Sequence, residues 1–402
     1  MKGNSNMVQM THSRDQERGA VSIFIVVFCA LLMTVLTISF IRLMIQEQQQ
    51  AATNDLSQSA YDSAQAGLED AKRALLLCQS GNSGACDALD SNACSSVPAA
   101  LSSSTSTDSE TGNTEIKIQT GTGDEKLDQA YTCVKVDRTP SVYPGSLNPG
   151  ASEMIPLKTG GKSFDRIELR WFEYGDLRNA GLTSHDIDLE PASSLNAQLP
   201  PTSNGAWPKN RPSLMRAQLM QFGAGGFTLD GLNAAAADES NANTVFLYPT
   251  RAPAASSIRF IDDERRAQDG DRLNVVECEK DLNAEAYACT ITIELPEPIA
   301  GDASNRTAYL RLGALYNTTA YSLRLLQGTT EVPFDGVIAT VDSTGRANDL
   351  FRRVESTVKL EPIDFPYPEA ALDLTGSLCK NFVITDGTGT NQGYRPSASC
   401  TP

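Results

Sequence analysis

The chain contains 402 residues and has a formal net charge of −16, from 49 acidic and 33 basic residues. An acidic surface repels phosphate backbones, so we infer no nucleic-acid partner. The length allows one large or two modest domains.

The first predicted element is an apolar run, Ala20–Ile41, which follows a polar leader at residues 1–19. Its 22 residues carry no charge and are enough to cross a bilayer as one α-helix. A secretory signal peptide has a shorter apolar region of about 7–15 residues, followed by a small-residue cleavage site. The exit of this run, Ser39-Phe40-Ile41-Arg42, offers no such site. The sequence therefore predicts a membrane anchor that contains Ala20, Phe24 and Ile41.

Basic residues beside this run indicate its orientation. Lys2, Arg14 and Arg18 precede the run, and only Arg42 closely follows it. The positive-inside rule then places the leader in the cytoplasm and the large C-terminal region outside. We therefore expect a single-pass membrane protein that contacts lipid through its anchor and carries an extracytoplasmic head.

The helix is predicted to continue beyond the membrane, because residues 42–78 contain no proline and a single glycine. Small and apolar residues recur there at steps of three and four, which places them on one helix face. They are Ala52, Leu56, Ala60, Ser63, Gly67, Ala71, Ala74 and Cys78, with Leu68 and Leu75 beside them. A helix from Ala20 to Leu77 is roughly 87 Å long at about 1.5 Å per residue, far more than one membrane crossing. We therefore assign residues 20–78 to a combined transmembrane and spine helix.

The composition changes at residue 79, after which Ser, Gly, Asn and Thr dominate. This composition is typical of irregular segments. We expect residues 79–161 to form a loop region held together by cysteines, with short strands at Thr114–Thr120 and Ala130–Asp137.

Residues 162–369 have a pattern of period two. Ile167, Leu169 and Trp171 alternate there with charged residues, which is typical of a half-buried strand. Several such segments at close spacing predict a mostly antiparallel β-sheet head, and hence an α+β fold. The predicted strands are Ser163–Tyr174, Ser213–Gln221, Thr244–Tyr248, Arg272–Glu279, Tyr287–Leu295, Ala308–Tyr316, Ala320–Gln327, Val337–Ser343 and Leu350–Leu360. Residues 370–402 then form a C-terminal tail.

Cysteine usage supports an external head. Of nine cysteines, Cys29 lies in the apolar run, and the remaining eight are an even number in an exported region, which suggests disulfides. We expect Cys278–Cys289, Cys379–Cys400, which closes the tail, and two bridges whose connectivity stays open within the first cluster. That cluster consists of Cys78, Cys86, Cys94 and Cys133. Its spacings are too long for the usual C-x2–4-C zinc knuckle.

Catalytic and metal sites have weak support. His12 lies in the leader, so His185 is the only histidine in the predicted head. We expect His185 to lie in a loop or at a helix cap. Neither H-E-x-x-H nor GxxxxGK[ST] occurs, so we expect neither an enzyme nor a cofactor. A calcium site is the weaker alternative to a solvated turn at an acidic segment without EF-hand spacing. Its carboxylates are Asp262, Asp263, Asp269 and Asp271.

The N-terminal segment carries two family features. The leader ends in Arg18-Gly19, and Ala60–Leu75 reads AYDSAQAGLEDAKRAL after the apolar run. Residues 16–77 thus resemble type IV pilin-like proteins, most closely the PilX-type minor pilins. The resemblance implies cleavage between Gly19 and Ala20 by prepilin peptidase. It also implies a long helix half in the membrane and half packed on a β-sheet, and assembly with other pilin subunits.

One residue departs from the family pattern. Major pilins mostly have Glu at the fifth mature position, where it pairs with a neighbour's N-terminal ammonium, but the fifth residue after Gly19 is Phe24. A buried carboxylate is costly without its partner, so Glu there serves assembly, and its absence indicates a minor, tip or initiating subunit.

We therefore expect a non-enzymatic, surface-displayed minor pilin-like subunit that acts in pilus assembly or priming and in contact with a surface target. The alternative is a single-pass surface binding protein that never enters a pilus. An exported hydrolase is a third and weaker hypothesis.

Overall fold

The computed structural model of the protein describes residues 17–107, 114–118, 128–183, 185–191, 205–222, 241–251, 257–259, 274–282, 286–301 and 307–360. In these ranges a long N-terminal helix precedes a mostly antiparallel β-rich region, which confirms the predicted α+β class. The chain divides into two compact units. Unit 1 comprises the described parts of Met1–Glu69, Ser104–Val134 and Ser343–Val354, and unit 2 comprises those of Asp70–Ser103, Lys135–Asp342 and Glu355–Pro402.

The helices of the described ranges are α1 (Glu17–Gln79), α2 (Ser83–Asp90), α3 (Ser96–Leu101) and α4 (Tyr174–Asn179). α1 is one helix of 63 residues, as predicted, and no proline interrupts it. α2 and α3 correct the expectation of a loop after residue 79. Asn82 fixes the start of α2, because its side chain accepts a hydrogen bond from the backbone N–H of Ala85 at 3.1 Å.

Each strand predicted in the described part of the chain is present, with its ends shifted by a few residues. The strands are β1 (Ser106–Thr107), β2 (Thr114–Lys117), β3 (Gln129–Asp137), β4 (Tyr143–Leu147), β5 (Ser152–Pro156), β6 (Phe164–Glu173), β7 (Glu190–Pro191), β8 (Leu214–Phe222), β9 (Asn241–Arg251), β10 (Ser257–Arg259), β11 (Asn274–Cys278), β12 (Tyr287–Ile299), β13 (Thr307–Leu315), β14 (Thr319–Gln327), β15 (Thr330–Val332), β16 (Ile338–Ala347) and β17 (Leu350–Lys359). Six of these strands have no counterpart in the sequence-based prediction: β1, β4, β5, β7, β10 and β15.

The described strands form two sheets. The smaller one has the order β1-β2-β3-β16-β17. The larger one has the order β15-β14-β6-β12-β11-β9-β8-β13-β5, with β4 beside β14, β10 beside β12 and β7 beside β9. The larger sheet thus includes β4 and β5, which come before residue 162, so the head begins earlier in the chain than predicted.

The larger sheet curls until its two ends approach each other. β4 and β5 are joined by residues 148–151, yet β4 pairs with β14 near one end of the strand order and β5 pairs with β13 at the other. The backbone N–H of Gly150 in this connection also donates to the carbonyl of Ala314 at 2.8 Å. The sheet is therefore a near-barrel, closed by one short connection.

Alternating side chains fill the interior of this sheet. Ile167, Leu169 and Trp171 of β6 are fully buried, which confirms the period-two prediction for that strand. Trp171 also donates its indole N–H to the carbonyl of Ser213 at 3.0 Å. The inward residues of the other strands join them in one aliphatic and aromatic core.

A half-buried carboxylate strengthens the closing connection. Glu153 of β5 accepts hydrogen bonds from the hydroxyls of Tyr143 at 2.6 Å and Tyr321 at 2.8 Å. Burial, together with this carboxylate, raises the pKa of both phenols, so each remains a donor. Gly145 lies against the ring of Tyr321 and leaves no room for a Cβ, which explains a glycine within β4.

The cysteines confirm the predicted disulfides as far as they are described. Cys278 and Cys289 are directly opposite in β11 and β12 and are bonded, as are Cys78 and Cys86 at the end of α1. Cys94 and Cys133 are disulfide-bonded as well, so the whole first cluster is oxidised. Among the described cysteines only Cys29 is free, whereas Cys379 and Cys400 lie outside the described residues.

Candidate functional site

The first candidate site is the apolar half of α1. Between Ile23 and Ile45 the large apolar side chains are exposed, with Phe24 at 79% and Ile41 at 53%. An 18-residue window of this helix has a mean hydropathy of 2.8, and none of the window is buried. The helix is thus long and apolar enough to cross a membrane. Gly19 and Ala20, the predicted processing pair, both lie within α1.

Three hydroxyl groups inside this apolar half are satisfied within the helix. Thr34, Thr37 and Ser39 donate to the carbonyls of Leu31, Met33 and Val35 at 2.8, 2.6 and 2.9 Å, respectively. A hydroxyl bonded to the preceding turn has no need of water. These polar residues are therefore compatible with a lipid or protein environment around the helix.

The second candidate site is the small-residue face of α1, which the period of three and four predicted. Ser63, Gly67 and Ala71 are buried, whereas Asp55, Asp62 and Glu69 on the other side are exposed. The buried residues of this half are Ala60, Ser63, Ala64, Gly67, Ala71, Ala74, Leu75 and Cys78.

Glycines allow close approach of helix and sheet within unit 1. A Cβ on Gly345 of β16 would overlap the backbone of Ala60 and Ala64, so only glycine fits there. A Cβ on Gly67 would come within 2.8 Å of Val134. The hydroxyl of Ser343 donates to the carbonyl of Ala64 at 2.7 Å, which fixes the helix against the strand. This helix–sheet contact explains a mid-helix glycine.

The small-residue face of α1 is buried, as predicted, from Ala60 onward, but its first two predicted residues are not buried. Ala52 is exposed and Leu56 is half-buried, although both continue the same periodic pattern. Ala64, which lies one position after Ser63, is buried and was absent from the predicted face. Periodicity gives the direction of the face but not the residue at which packing begins.

A buried ion pair lies in the same unit. Arg346 of β16 contacts Glu115 of β2 at 2.8 Å, and their side chains are 6% and 0% exposed. Arg346 also donates to Asp128 at 2.9 Å. This hydrogen bond from Arg346 lowers the pKa of the Asp128 carboxyl below its usual range. The cluster links β2 to β16, which are not neighbours in the sheet.

A polar groove in unit 2 is the third candidate site. It occupies about 730 Å³ on the outer face of the larger sheet. Charged side chains of β6, β12 and β14 line it, together with hydroxyl groups. Period-two alternation predicted that Arg166, Glu168 and Arg170 point away from the core, but a single sequence gave no sign that they line a concavity.

The remaining predicted site residues are placed as follows. His185 is exposed, donates a hydrogen bond from its ring Nδ1 to the carbonyl of Leu282 at 2.9 Å, and stacks on Tyr174. Asp262, Asp263, Asp269 and Asp271 lie outside the described residues. Within the described ranges, no three His, Cys, Asp or Glu side chains group as metal ligands would.

The chain was compared with known proteins. No protein-family profile matches it, and no curated protein matches it.

Proposed function

We propose that the protein is a minor type IV pilin-like subunit, anchored in the cytoplasmic membrane by α1 and displayed outside the cell. It acts without catalysis, in pilus assembly or priming and in contact with a surface target. Other pilin subunits, prepilin peptidase and membrane lipid are its proposed partners.

One observation carries this proposal: a single helix has two halves of different character. From Ile23 to Ile45 it exposes a continuous apolar surface, and around Ala60, Ala64 and Gly67 it packs on a β-sheet of its own chain. An ordinary membrane anchor needs only the first property. The combination supports a helix that holds its head directly and offers its apolar half to lipid or to other helices.

Disulfides support display outside the cytoplasm. Cys78–Cys86 and Cys278–Cys289 are formed, and disulfides persist mainly in oxidising compartments. The absence of an acidic residue from Ala20 to Ile41 supports a minor or initiating role rather than that of a major subunit.

N-terminal sequencing of the mature protein from its host's membranes tests the proposal. We expect the mature chain to begin at Ala20, because cleavage after Gly19 removes residues 1–19. A Gly19→Val variant should retain Met1, whereas the matched Gly3→Val variant should be processed normally. An unprocessed wild-type chain that begins at Met1 would count against a pilin-like protein and favour the single-pass surface binding protein.

A second measurement on the same cells distinguishes a pilus subunit from a single-pass surface binding protein. A subunit of a filament should appear in the sheared extracellular fraction, and the Gly19→Val variant should disappear from that fraction. A chain cleaved at Ala20 but confined to the membrane in every strain would contradict incorporation into a filament.

A further inference from the structure

The outer face of the larger sheet in unit 2 carries polar side chains in matched positions. In β6, Glu168 is opposite Thr292 of β12 on one side and opposite Arg324 of β14 on the other. Arg170 is likewise opposite Thr290 of β12. Side chains on one face of neighbouring strands lie about 4.5–5.5 Å apart, so these groups form a continuous lattice of donors and acceptors.

This lattice forms the floor of the groove of about 730 Å³. Its described walls include Ser257 and Thr329, which add two more hydroxyls, and Leu326, an aliphatic patch. A volume of this size lies in the range of small-ligand sites, roughly 300–1,000 Å³. The groove is therefore large enough for two or three sugar-sized units.

The charges that line the groove cancel in pairs. Arg166 contacts Glu294 at 3.1 Å, and Arg324 contacts Glu331 at 2.7 Å. A third arginine, Arg170, contacts Glu168 at 2.7 Å. An anionic ligand would meet the three glutamates and a cationic ligand the three arginines, so the groove favours an uncharged ligand.

Donors and acceptors alternate along this floor. Arg170 and Arg324 provide guanidinium donors, and the carboxylate of Glu168 between them is an acceptor. Thr290 and Thr292 add hydroxyl groups, which both donate and accept. A ligand with hydroxyl groups on adjacent carbons can donate to the carboxylate and accept from the guanidinium groups, so it matches this arrangement.

We propose that this groove binds a neutral oligosaccharide through its hydroxyl groups. The proposal stands on the geometry of unit 2 alone and does not depend on the function proposed for α1. A nucleic acid or an acidic glycan would bring anionic groups against Glu168 and Glu294, and is therefore disfavoured. No aromatic side chain is among the described lining residues, so affinity comes from hydrogen bonds and is modest.

Binding of defined sugars to the full chain in phospholipid nanodiscs tests the proposal. Cellohexaose, maltohexaose and chitohexaose serve as neutral probes and hexagalacturonate as the anionic one, measured by calorimetry and saturation-transfer NMR. We expect at least one neutral hexasaccharide to bind with a Kd on the order of 0.1–1 mM, and hexagalacturonate to bind at least about tenfold more weakly.

Two substitutions locate the site. Arg324→Lys keeps the charge that pairs with Glu331 but replaces the planar guanidinium donors that line the groove with a single ammonium group, so we expect binding to weaken about tenfold. Glu168→Gln keeps the shape and leaves the groove with an excess of positive charge, so the preference should shift toward hexagalacturonate. Thr330→Val, on β15 but outside the described lining, is the matched control and should bind like the wild type.

Three outcomes would overturn the proposal. One is that no neutral probe binds at roughly 10 mM, about ten times the weakest expected Kd. Another is that hexagalacturonate binds the wild type more tightly than every neutral probe. The third is unchanged binding by Arg324→Lys. Near-UV circular dichroism of each variant checks that its fold is intact, and Glu168→Gln gives an independent answer if Arg324→Lys is misfolded.

Discussion

Glu115 is fully buried as a carboxylate, and it depends on Arg346. Taking two charges out of water is expensive, and the cost is offset only while both partners are present. The pair therefore contributes little as a whole, but each member becomes costly when the other is removed. Asp128 also pairs with Arg346, but its side chain is 41% exposed. Because water can solvate this carboxylate, Asp128 depends less on Arg346 than Glu115 does.

Replacement of Arg346 by methionine tests this dependence. Arg346→Met leaves Glu115 buried without a counter-ion, and we expect a loss of about 3–5 kcal/mol in the free energy of unfolding. The double variant Arg346→Met/Glu115→Gln should recover roughly half of the loss, because the uncompensated charge is gone. Urea unfolding followed by circular dichroism measures both values.

The control for this prediction is another arginine of the same sheet. Arg352 of β17 is exposed and donates to Ser57 at 2.8 Å. Arg352→Met should change stability by no more than about 0.5 kcal/mol. Equal losses at Arg346 and Arg352 would show that the enclosed pair has no special role.

At the scale of elements, periodic sequence predicted a large part of the fold. α1 and β6 have periods of three to four and of two. Both elements appear, β6 with its expected buried face and α1 with that face buried from Ala60 onward. β4 and β5 were missed because YPGSL and SEMIP contain proline or glycine and have no alternation. Their strand conformation comes from pairing with β14 and β13, which lie far along the chain.

The groove could not be predicted from the sequence either, because it depends on the register between strands that lie far apart along the chain. The residue types of β6 were evident from the sequence, but their partners Thr292 and Arg324 come from strands more than 100 residues later. β13 and β14 also follow each other after three residues and yet do not pair. Tyr316 between them has a positive φ of 76°, an uncommon conformation for a bulky residue. Nothing in the local pattern indicates that the chain leaves one end of the sheet for the other there.

The helix–sheet packing of α1 gives a prediction at this scale. Ala64 is fully buried against β16, so Ala64→Leu should force the helix and strand apart and cost about 1–3 kcal/mol. Ala52→Leu on the exposed part of the same helix is the matched control and should be nearly neutral. Thermal unfolding in nanodiscs compares them. If both leucine variants melt together with the wild type, α1 does not depend on this contact.

At the scale of the whole molecule, topology and redox state are linked. An apolar helix with one free cysteine, Cys29, precedes a region in which six described cysteines are disulfide-bonded. A reducing cytoplasm does not maintain such bonds. Net charge and length alone restrict the function only weakly, whereas this arrangement of cysteines supports an extracytoplasmic head.

Thiol labelling tests that placement. When the unreduced protein is denatured and treated with a maleimide, we expect about one label per chain, at Cys29. Six described cysteines are disulfide-bonded, and Cys379 and Cys400 are predicted to form a further bond. Cys29→Ser should then take up no label, and prior reduction should expose the remaining eight of the nine cysteines. Extensive labelling without reductant would mean that the head faces the cytoplasm.

The two mapped disulfides also have a consequence for biogenesis. Cys78–Cys86 and Cys278–Cys289 are separated by 8 and 11 positions, and no other cysteine lies between the members of either pair. A chain that emerges from a translocon in N-to-C order presents both sulfurs of each pair almost together. An oxidase that simply joins successive thiols therefore produces the native bond at these two places, and no isomerase has to reshuffle them.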